Sequence, residues 1–284
     1  DCSAFLGGVS KNYHTNMLYS LTSNLIVLEA DEYDRSFLTL TPSFSLISAI
    51  DQDHLDIYKD GNALEESFNL FANRLNKKGV LILKKGLDIN VRKDIQKFTY
   101  SLEDTEADYY AKNITIKEGY YEFDLVSPEV TVEKLKLGLP GRFNLENAIG
   151  AAALALHNNI TVEEIRKGLD NFQGVVRRFD YQIKEKDLVF IDDYAHHPEE
   201  LKACINAVRE LYPNKKITGI FQPHLYSRTK DFATEFAASL SLLDDVLLLP
   251  IYPAREKPIK GVHSEMILDQ IKTKEKQICN LSNV

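Results

Sequence analysis

The sequence predicts an α/β fold divided between two domains, and three observations support this. Short, uninterrupted apolar runs recur along the chain and stop at acidic residues, as parallel strands buried on both faces do. Amphipathic segments of helical length alternate with them. The 284 residues also exceed one ordinary domain of about 150 residues.

The first domain is expected over residues 1–176. Asn24-Leu25-Ile26-Val27-Leu28 reads as a buried parallel strand, and the run 44–50 as the next. Between 62 and 77, Leu64, Phe68, Phe71, Ala72 and Leu75 fall on one helical stripe. Lys77-Lys78-Gly79 closes that stripe with cations and a C-terminal glycine. A strand at 80–83 then completes a β-α-β unit. From 108 to 137, Tyr-, Ile- and Val-rich segments with a turn at Glu118-Gly119 predict antiparallel strands. Pro140-Gly141 ends them. A helix follows over 144–157, and another starts at Thr161, whose spacing to Glu164 is that of a capping box. Gly174 and Arg177-Arg178 mark the boundary, because a new series of strands and helices begins beyond them. That series, over 177–284, has strands at 188–191, 217–221 and 246–251 and helices near 199–211, 231–242 and 264–272. It predicts a parallel sheet covered on both faces.

Composition narrows the function classes. Hydrophobic residues at 44% and charged residues at 27% exclude a disordered or collagen-like chain. A formal charge of −8 argues against nucleic-acid binding through a cationic surface. No apolar run approaches the roughly 18–20 residues that span a bilayer. Cys2, Cys204 and Cys279 are scattered and form no CxxC pair, which argues against a disulfide framework or Cys-rich zinc site and favours a reducing cytosol. The opening Asp1-Cys2-Ser3-Ala4, without initiator Met or signal peptide, is expected of a truncated chain.

In open α/β sheets, ligands bind beyond the carboxyl ends of the strands. Glu29-Ala30-Asp31-Glu32 follows one predicted strand and Asp51-Gln52-Asp53-His54-Leu55-Asp56 the next. Acids there suit a hard cation such as Mg²⁺ beside a nucleotide's phosphates. Acids at strand ends also cap helices and turns, and both readings stand. Asn144 and Asn147 are either helix caps or partners of a purine edge, Asn144 being the better cap and Asn147 the better ligand. In the second domain the strand tips carry Asp192-Asp193-Tyr194-Ala195-His196-His197-Pro198, Gln222-Pro223-His224-Leu225-Tyr226-Ser227-Arg228-Thr229 and Tyr252-Pro253-Ala254-Arg255. These are expected to converge. Tyr194, His196, His224, Tyr226 and Arg228 suit an anionic or zwitterionic small molecule, since Arg grips a carboxylate bidentately. Pro198 fits the first turn of a helix. Arg177-Arg178 is either a solvated linker or a hinge whose arginine reaches nucleotide phosphates.

These segments, with Pro140-Gly141-Arg142-Phe143-Asn144 and the stretch 174–180, occur in the order of the Mur ligases of peptidoglycan synthesis. The whole chain resembles that family. The resemblance implies a central ATPase domain over 1–176, with a parallel sheet and a smaller antiparallel sheet. A Rossmann-like C-terminal α/β domain that receives the amino acid follows over 177–284. It implies that the chain begins after the phosphate loop, since no G-x-x-x-x-G-K-[ST] sequence occurs. It also implies that the UDP-binding domain and the C-terminal end are missing, so that these residues alone turn nothing over.

The implied reaction is ATP-dependent amide formation in a bacterial cytoplasm. The carboxylate of UDP-N-acetylmuramate attacks the γ-phosphate of ATP, and the amine of L-alanine then displaces phosphate from the acyl phosphate. Mg²⁺ and arginines neutralise the developing charge. Carried over residue by residue, Glu29 is a Mg²⁺ ligand and His54 a ligand of a second Mg²⁺. Asn144 and Asn147 lie at the adenine, and Arg177, Arg178 and Asp192 bind the nucleotide. Tyr194, His196, His224 and Arg228 position the alanine and the reacting carboxylate, with Arg178, His196 and Arg228 as the catalytic set. Gly7-Gly8 resembles a loop beside the UDP-sugar. Phe143 and Leu225 depart from the family pattern, where many relatives carry His and Arg. Three alternatives stay open: a family member that adds a tripeptide, a metal-dependent hydrolase built on Asp51, Asp53, His54, His196 and His197, and a non-catalytic binding module.

Overall fold

The computed structural model describes residues 1–50, 61–117 and 120–279. The chain divides into two compact units, Asp1–Val176 and Arg177–Val284.

Unit 1 opens with β1 (Ser3–Ser10), β2 (Thr15–Leu18) and β3 (Ile26–Leu28), a small sheet in which β1 is antiparallel to β2 and parallel to β3. The expected parallel strand at 24–28 is therefore present, but it is not buried. Ile26, Val27 and Leu28 are 63%, 41% and 45% exposed, because no described element packs over their side chains. Gly7 and Gly8 lie inside β1 and not in a loop. A Cβ on Gly8 would come within 2.4 Å of Val175, whose neighbours Gly174 and Val176 exchange backbone hydrogen bonds with Lys11 and Val9.

A second sheet runs in chain order through β4 (Phe44–Ile47), β5 (Val80–Lys84), β6 (Gln96–Ser101), β7 (Tyr109–Lys117), β8 (Tyr120–Val126) and β9 (Thr131–Leu137). The first four strands are parallel and the last two pairings antiparallel. The antiparallel strands expected over 108–137 are thus fused to the parallel ones, through Tyr100↔Tyr109 and Ser101↔Tyr110. The turn expected at Glu118-Gly119 lies outside the described residues. The apolar run at 80–83 sits in β5, buried on both faces.

Helix α1 (Gly61–Ala72) completes the predicted β-α-β unit but stops short of residue 77. Asn73 Nδ2 donates to Asn90 O at 2.7 Å, and the Arg92 guanidinium donates to the carbonyls of Asn73 and Leu75. Beyond Ala72 the chain tightens, with Arg74 N donating to Phe71 O and Leu75 N to Ala72 O, and Asn76 N donates to Pro42 O instead of continuing the helix. Lys78, at φ 60°, and not Gly79, makes the left-handed turn. The predicted stripe still packs inward: Leu64, Phe71, Ala72 and Leu75 are buried, and Phe71 stacks on Phe37 at 4.9 Å.

On the other face of the sheet lies α2 (Arg142–His157), whose Leu145, Ile149, Ala152 and Ala153 pack among Tyr100, Tyr121, Phe123 and Leu125. It begins two residues before Asn144, with Gly141 at φ 99° as its cap. Helix α3 (Val162–Asp170) carries the predicted capping box: Glu164 N donates to Thr161 Oγ1 and Thr161 N to Glu164 Oε2.

In unit 2, β10 (Asp180–Lys184) and β11 (Val189–Asp192) form an antiparallel pair, while β12 (Thr218–Phe221), β13 (Asp245–Leu248) and β14 (Glu275–Ile278) are parallel. The strand expected at 188–191 therefore pairs with β10 in a two-stranded sheet and not with the parallel strands β12, β13 and β14. Helices α4 (Pro198–Leu211), α5 (Tyr226–Leu240) and α6 (Glu265–Leu268) alternate with the strands. Their apolar faces meet β12 and β13 around Ile205, Phe221, Phe236, Leu240, Val246 and Ile267. Helix α5 starts five residues earlier than expected, at Tyr226, and α6 is shorter than 264–272. Pro198 opens α4 as predicted.

Candidate functional site

In unit 1, Glu29 follows β3 directly, and its backbone N–H donates to Phe5 O at 3.0 Å. Its carboxylate turns back across β1, where Oε2 accepts the Gly7 N–H at 2.8 Å. A Cβ on Gly7 would lie 2.9 Å from Glu29 Oε1, so a glycine is what admits this carboxylate. The neighbouring acids are structural: Asp31 Oδ1 accepts Tyr33 N–H and Asp34 Oδ1 accepts Ser36 N–H, which wind the chain into the 3-10 turn Ser36–Thr39. Ser36 also holds the Asp34 carboxyl below its usual range.

Among the described residues no three His, Cys, Asp or Glu side chains gather as a metal cage. A single held carboxylate such as Glu29 has the chemistry Mg²⁺ uses, since that ion commonly takes one or two carboxylates and fills its remaining positions with water and substrate phosphates. Glu29 Oε1 is the oxygen not engaged by Gly7. His54, with Asp51, Asp53 and Asp56, lies outside the described residues.

The two asparagines of α2 part company. Asn144 is not the cap, since the helix already starts at Arg142; its Nδ2 donates to Pro140 O and is spent there. Asn147 is exposed, with no hydrogen-bond partner among the described residues. Glu146 beside it pairs with Lys84 at 2.8 Å, tying α2 to the end of β5. The Phe143 ring folds back over Gly141, where a Cβ would approach it to 2.7 Å.

In unit 2 the three strand-tip segments meet. Asp193 and Asp192 differ in role. Asp193 accepts the N–H groups of Phe179 and Ala195, at 2.7 and 2.8 Å, and so fastens the start of the unit to the tip of β11. Burial pushes its carboxyl upward against those hydrogen bonds and the nearby Arg178 charge. Asp192 has no polar partner among the described residues and remains available. Arg177 sits at φ 62° and accepts Tyr194 N–H at 2.7 Å on its carbonyl. The side chains of Arg177 and Arg178 are exposed.

Beyond β11, the rings of Tyr194 and His196 meet edge to face at 5.4 Å. Glu200, in the first turn of α4, accepts the backbone N–H of His196 at 2.9 Å and of His197 at 3.1 Å. His197 itself packs edge-on against Phe232 at 5.0 Å. Beyond β12, His224 stacks on Tyr252 at 5.6 Å, and the Leu225 N–H donates to Tyr252 O. Burial lowers the His224 pKa, and the charges of Arg228 and His196 lower it further, while Glu256 opposes them. Arg228 is half-buried in the first turn of α5, and among the described residues no carboxylate pairs with it. Glu256 is occupied elsewhere, accepting both the N–H and the hydroxyl of Ser227.

A half-buried guanidinium with no carboxylate partner among the described residues has the chemistry to grip a carboxylate bidentately. Sequence reasoning missed Glu200, Glu256 and the Tyr252 stack. Glu200 was legible in principle, as the acidic residue three positions after His197 at the start of a helix. Glu256 carries no local signal, because its partner Ser227 is 29 residues away.

Two family comparisons match. Residues 13–155 match the Mur ligase middle domain, and residues 177–284 match the Mur ligase glutamate ligase domain. The chain belongs to the Mur ligase family. The UDP-N-acetylmuramate–L-alanine ligase of Parabacteroides distasonis is 50% identical over 281 residues, covering 98% of this chain and 61% of the relative. The chain thus spans about three fifths of the length of the curated relatives it matches, 61% and 63% for the first two. UDP-N-acetylmuramate-alanine ligase MurC from Thermotoga maritima superposes with a TM-score of 0.80 at 24% identity, over 98% of this chain and 60% of that one. The MurF ligase of Thermotoga maritima, solved in complex with ADP, gives 0.71 at 16% identity, over 99% and 65%. Both likenesses place this Mur ligase chain in the same α/β fold. No helix among the described residues is long and apolar enough to cross a membrane.

Proposed function

We propose that the complete protein joins L-alanine to UDP-N-acetylmuramate at the expense of ATP, through an acyl phosphate, in peptidoglycan precursor synthesis. Residues 1–176 belong to its ATP-binding domain and 177–284 to the domain that takes the amino acid. The observation that carries the reading is Arg228, with which no carboxylate pairs among the described residues and whose charge, with that of His196, acts on His224; such a guanidinium suits the carboxylate of a small amino acid. The 50% identity to the Parabacteroides distasonis enzyme supports this choice over a tripeptide-adding ligase.

In unit 1, Glu29 holds Mg²⁺, which supplies charge neutralisation at the phosphates when bound. Asn147 is assigned to the adenine; Asn144, already bonded to Pro140, is a weaker candidate. His54 is proposed as the second metal ligand on family resemblance alone. In unit 2, Arg177, Arg178 and Asp192 are assigned to the nucleotide, with Arg178 offsetting charge on the transferred phosphoryl group. Arg228 grips the amino-acid carboxylate, His224 and Tyr194 line the same ligand, and His196 faces the amine.

The hydrolase alternative loses support because both halves of the chain match Mur ligase domains. The test is phosphate release by the protein completed to the length of its relatives. Release should require both UDP-N-acetylmuramate and L-alanine. Equal release without L-alanine, or with a tripeptide in its place, overturns the proposal.

A further inference from the structure

The hydrogen bonds around His196 specify its tautomer. Nδ1 lies 3.0 Å from Tyr194 O and 3.3 Å from Glu200 Oε2. A backbone carbonyl can only accept, so Nδ1 is the atom that carries the hydrogen. In the neutral ring, Nε2 is then left with its lone pair free. The groups facing this ring are few. Glu200 lies on the α4 side, the Tyr194 ring closes the β11 side, and His224 stands on the β12 side, with Arg228, Arg255 and Glu256 around His224. Glu200 is the anion that directly contacts His196, and it is already positioned by two backbone N–H donors.

We infer that Glu200 and His196 form a carboxylate–imidazole pair that takes the proton from the incoming amine, with Nε2 as the acceptor. This rests on the proposed ligase reading. An amino acid enters as an ammonium, which has no lone pair and cannot attack a carbonyl carbon. One proton moves from the ammonium nitrogen to Nε2, giving a neutral amine and an imidazolium. The imidazolium keeps its Nδ1–H on the Tyr194 carbonyl, and the Glu200 carboxylate, 3.3 Å from Nδ1, stabilises its charge. The amine lone pair then forms the C–N bond with the acyl phosphate. The tetrahedral intermediate collapses, the C–O electron pair leaves with phosphate, and the remaining surplus proton on nitrogen leaves with that phosphate. Glu200 acts through His196 and is a positioning residue; His196 is the group that touches substrate.

The test compares two nucleophiles in the full-length protein. Hydroxylamine is largely unprotonated near neutrality and traps an acyl phosphate as a hydroxamate without needing a base. In His196→Gln, L-alanine ligation should fall by about a hundredfold more than hydroxamate formation, the order of general-base contributions. Glu200→Gln retains an oxygen acceptor for the two backbone N–H groups but removes the charge. It should lose roughly tenfold on L-alanine, about one RT ln 10 step, and little on hydroxylamine. Equal losses with both nucleophiles, or undiminished L-alanine ligation in His196→Gln, overturn the inference. A parent enzyme that forms no hydroxamate overturns the acyl-phosphate reading itself.

Discussion

The Gly7 N–H donates to Glu29 Oε2 at 2.8 Å, across two strands that are 22 residues apart in sequence. This bond orients the one described carboxylate assigned to Mg²⁺, and it depends on a residue without a side chain at position 7. Gly7→Ala places a methyl group against Glu29 Oε1 and should swing the carboxylate away. The expected result is a rise of roughly tenfold in the Mg²⁺ concentration that half-activates the enzyme, as for the loss of other outer-shell partners. KM for L-alanine should stay unchanged. A Mg²⁺ titration of activity checks both.

Arg228 should dominate recognition of the amino acid. A hydrogen-bonded charge of this kind contributes about 1.5–3 kcal/mol, so Arg228→Ala should raise KM for L-alanine by roughly ten- to a hundredfold. Arg228→Lys keeps the charge but loses the bidentate fork, and should recover only part of that. Steady-state kinetics with L-alanine and ATP varied separately would show it; an equal rise in both KM values counts against the assignment.

Ser227 holds the Glu256 carboxylate by donating both its N–H and its hydroxyl to it. The same bonds hold the Glu256 carboxyl below its usual range. Ser227→Ala should loosen Glu256, let it compete for the guanidinium and raise KM for L-alanine severalfold. Adding Glu256→Gln removes the competing charge and should restore binding. A double-mutant cycle on KM measures the coupling.

His157, at the end of α2, meets the Tyr109 hydroxyl through Nε2 at 2.9 Å and packs on Phe98 at 4.6 Å. Burial lowers its pKa, with Glu129 opposing. The folded state therefore binds this proton less readily than the unfolded chain. Its stabilising contribution is complete above the unfolded value of about 6.5 and is lost as pH falls through it toward the lower folded value. Melting temperatures at about pH 7.5 and about pH 5 should differ less in His157→Phe than in the parent protein.

The legible parts of this protein were local. The run at 80–83 has no polar position to expose, so it had to become the doubly covered strand β5. The Thr161–Glu164 box and Pro198 announce helix starts because capping is satisfied within one turn. The strand-tip segments holding Tyr194, His196, His224 and Arg228 were legible as candidate sites because residue types that carry chemistry gather there at element ends.

The sequence by itself determined the α/β class, the β-α-β unit of the first half and which segments carry chemistry, since periodicity and capping act over a few residues. Only the tertiary structure decided where α1 stops, because the Asn76 N–H donates to the distant Pro42 O instead of continuing the helix. It also decided that Asp193 rather than Asp192 is the structural acid, since Asp193 accepts the N–H of Phe179 from just before β10. These outcomes turn on which donors and acceptors meet once the chain has folded. The Gly7–Glu29 and Ser227–Glu256 bonds show the same thing: each joins groups more than twenty residues apart, where no spacing rule reaches.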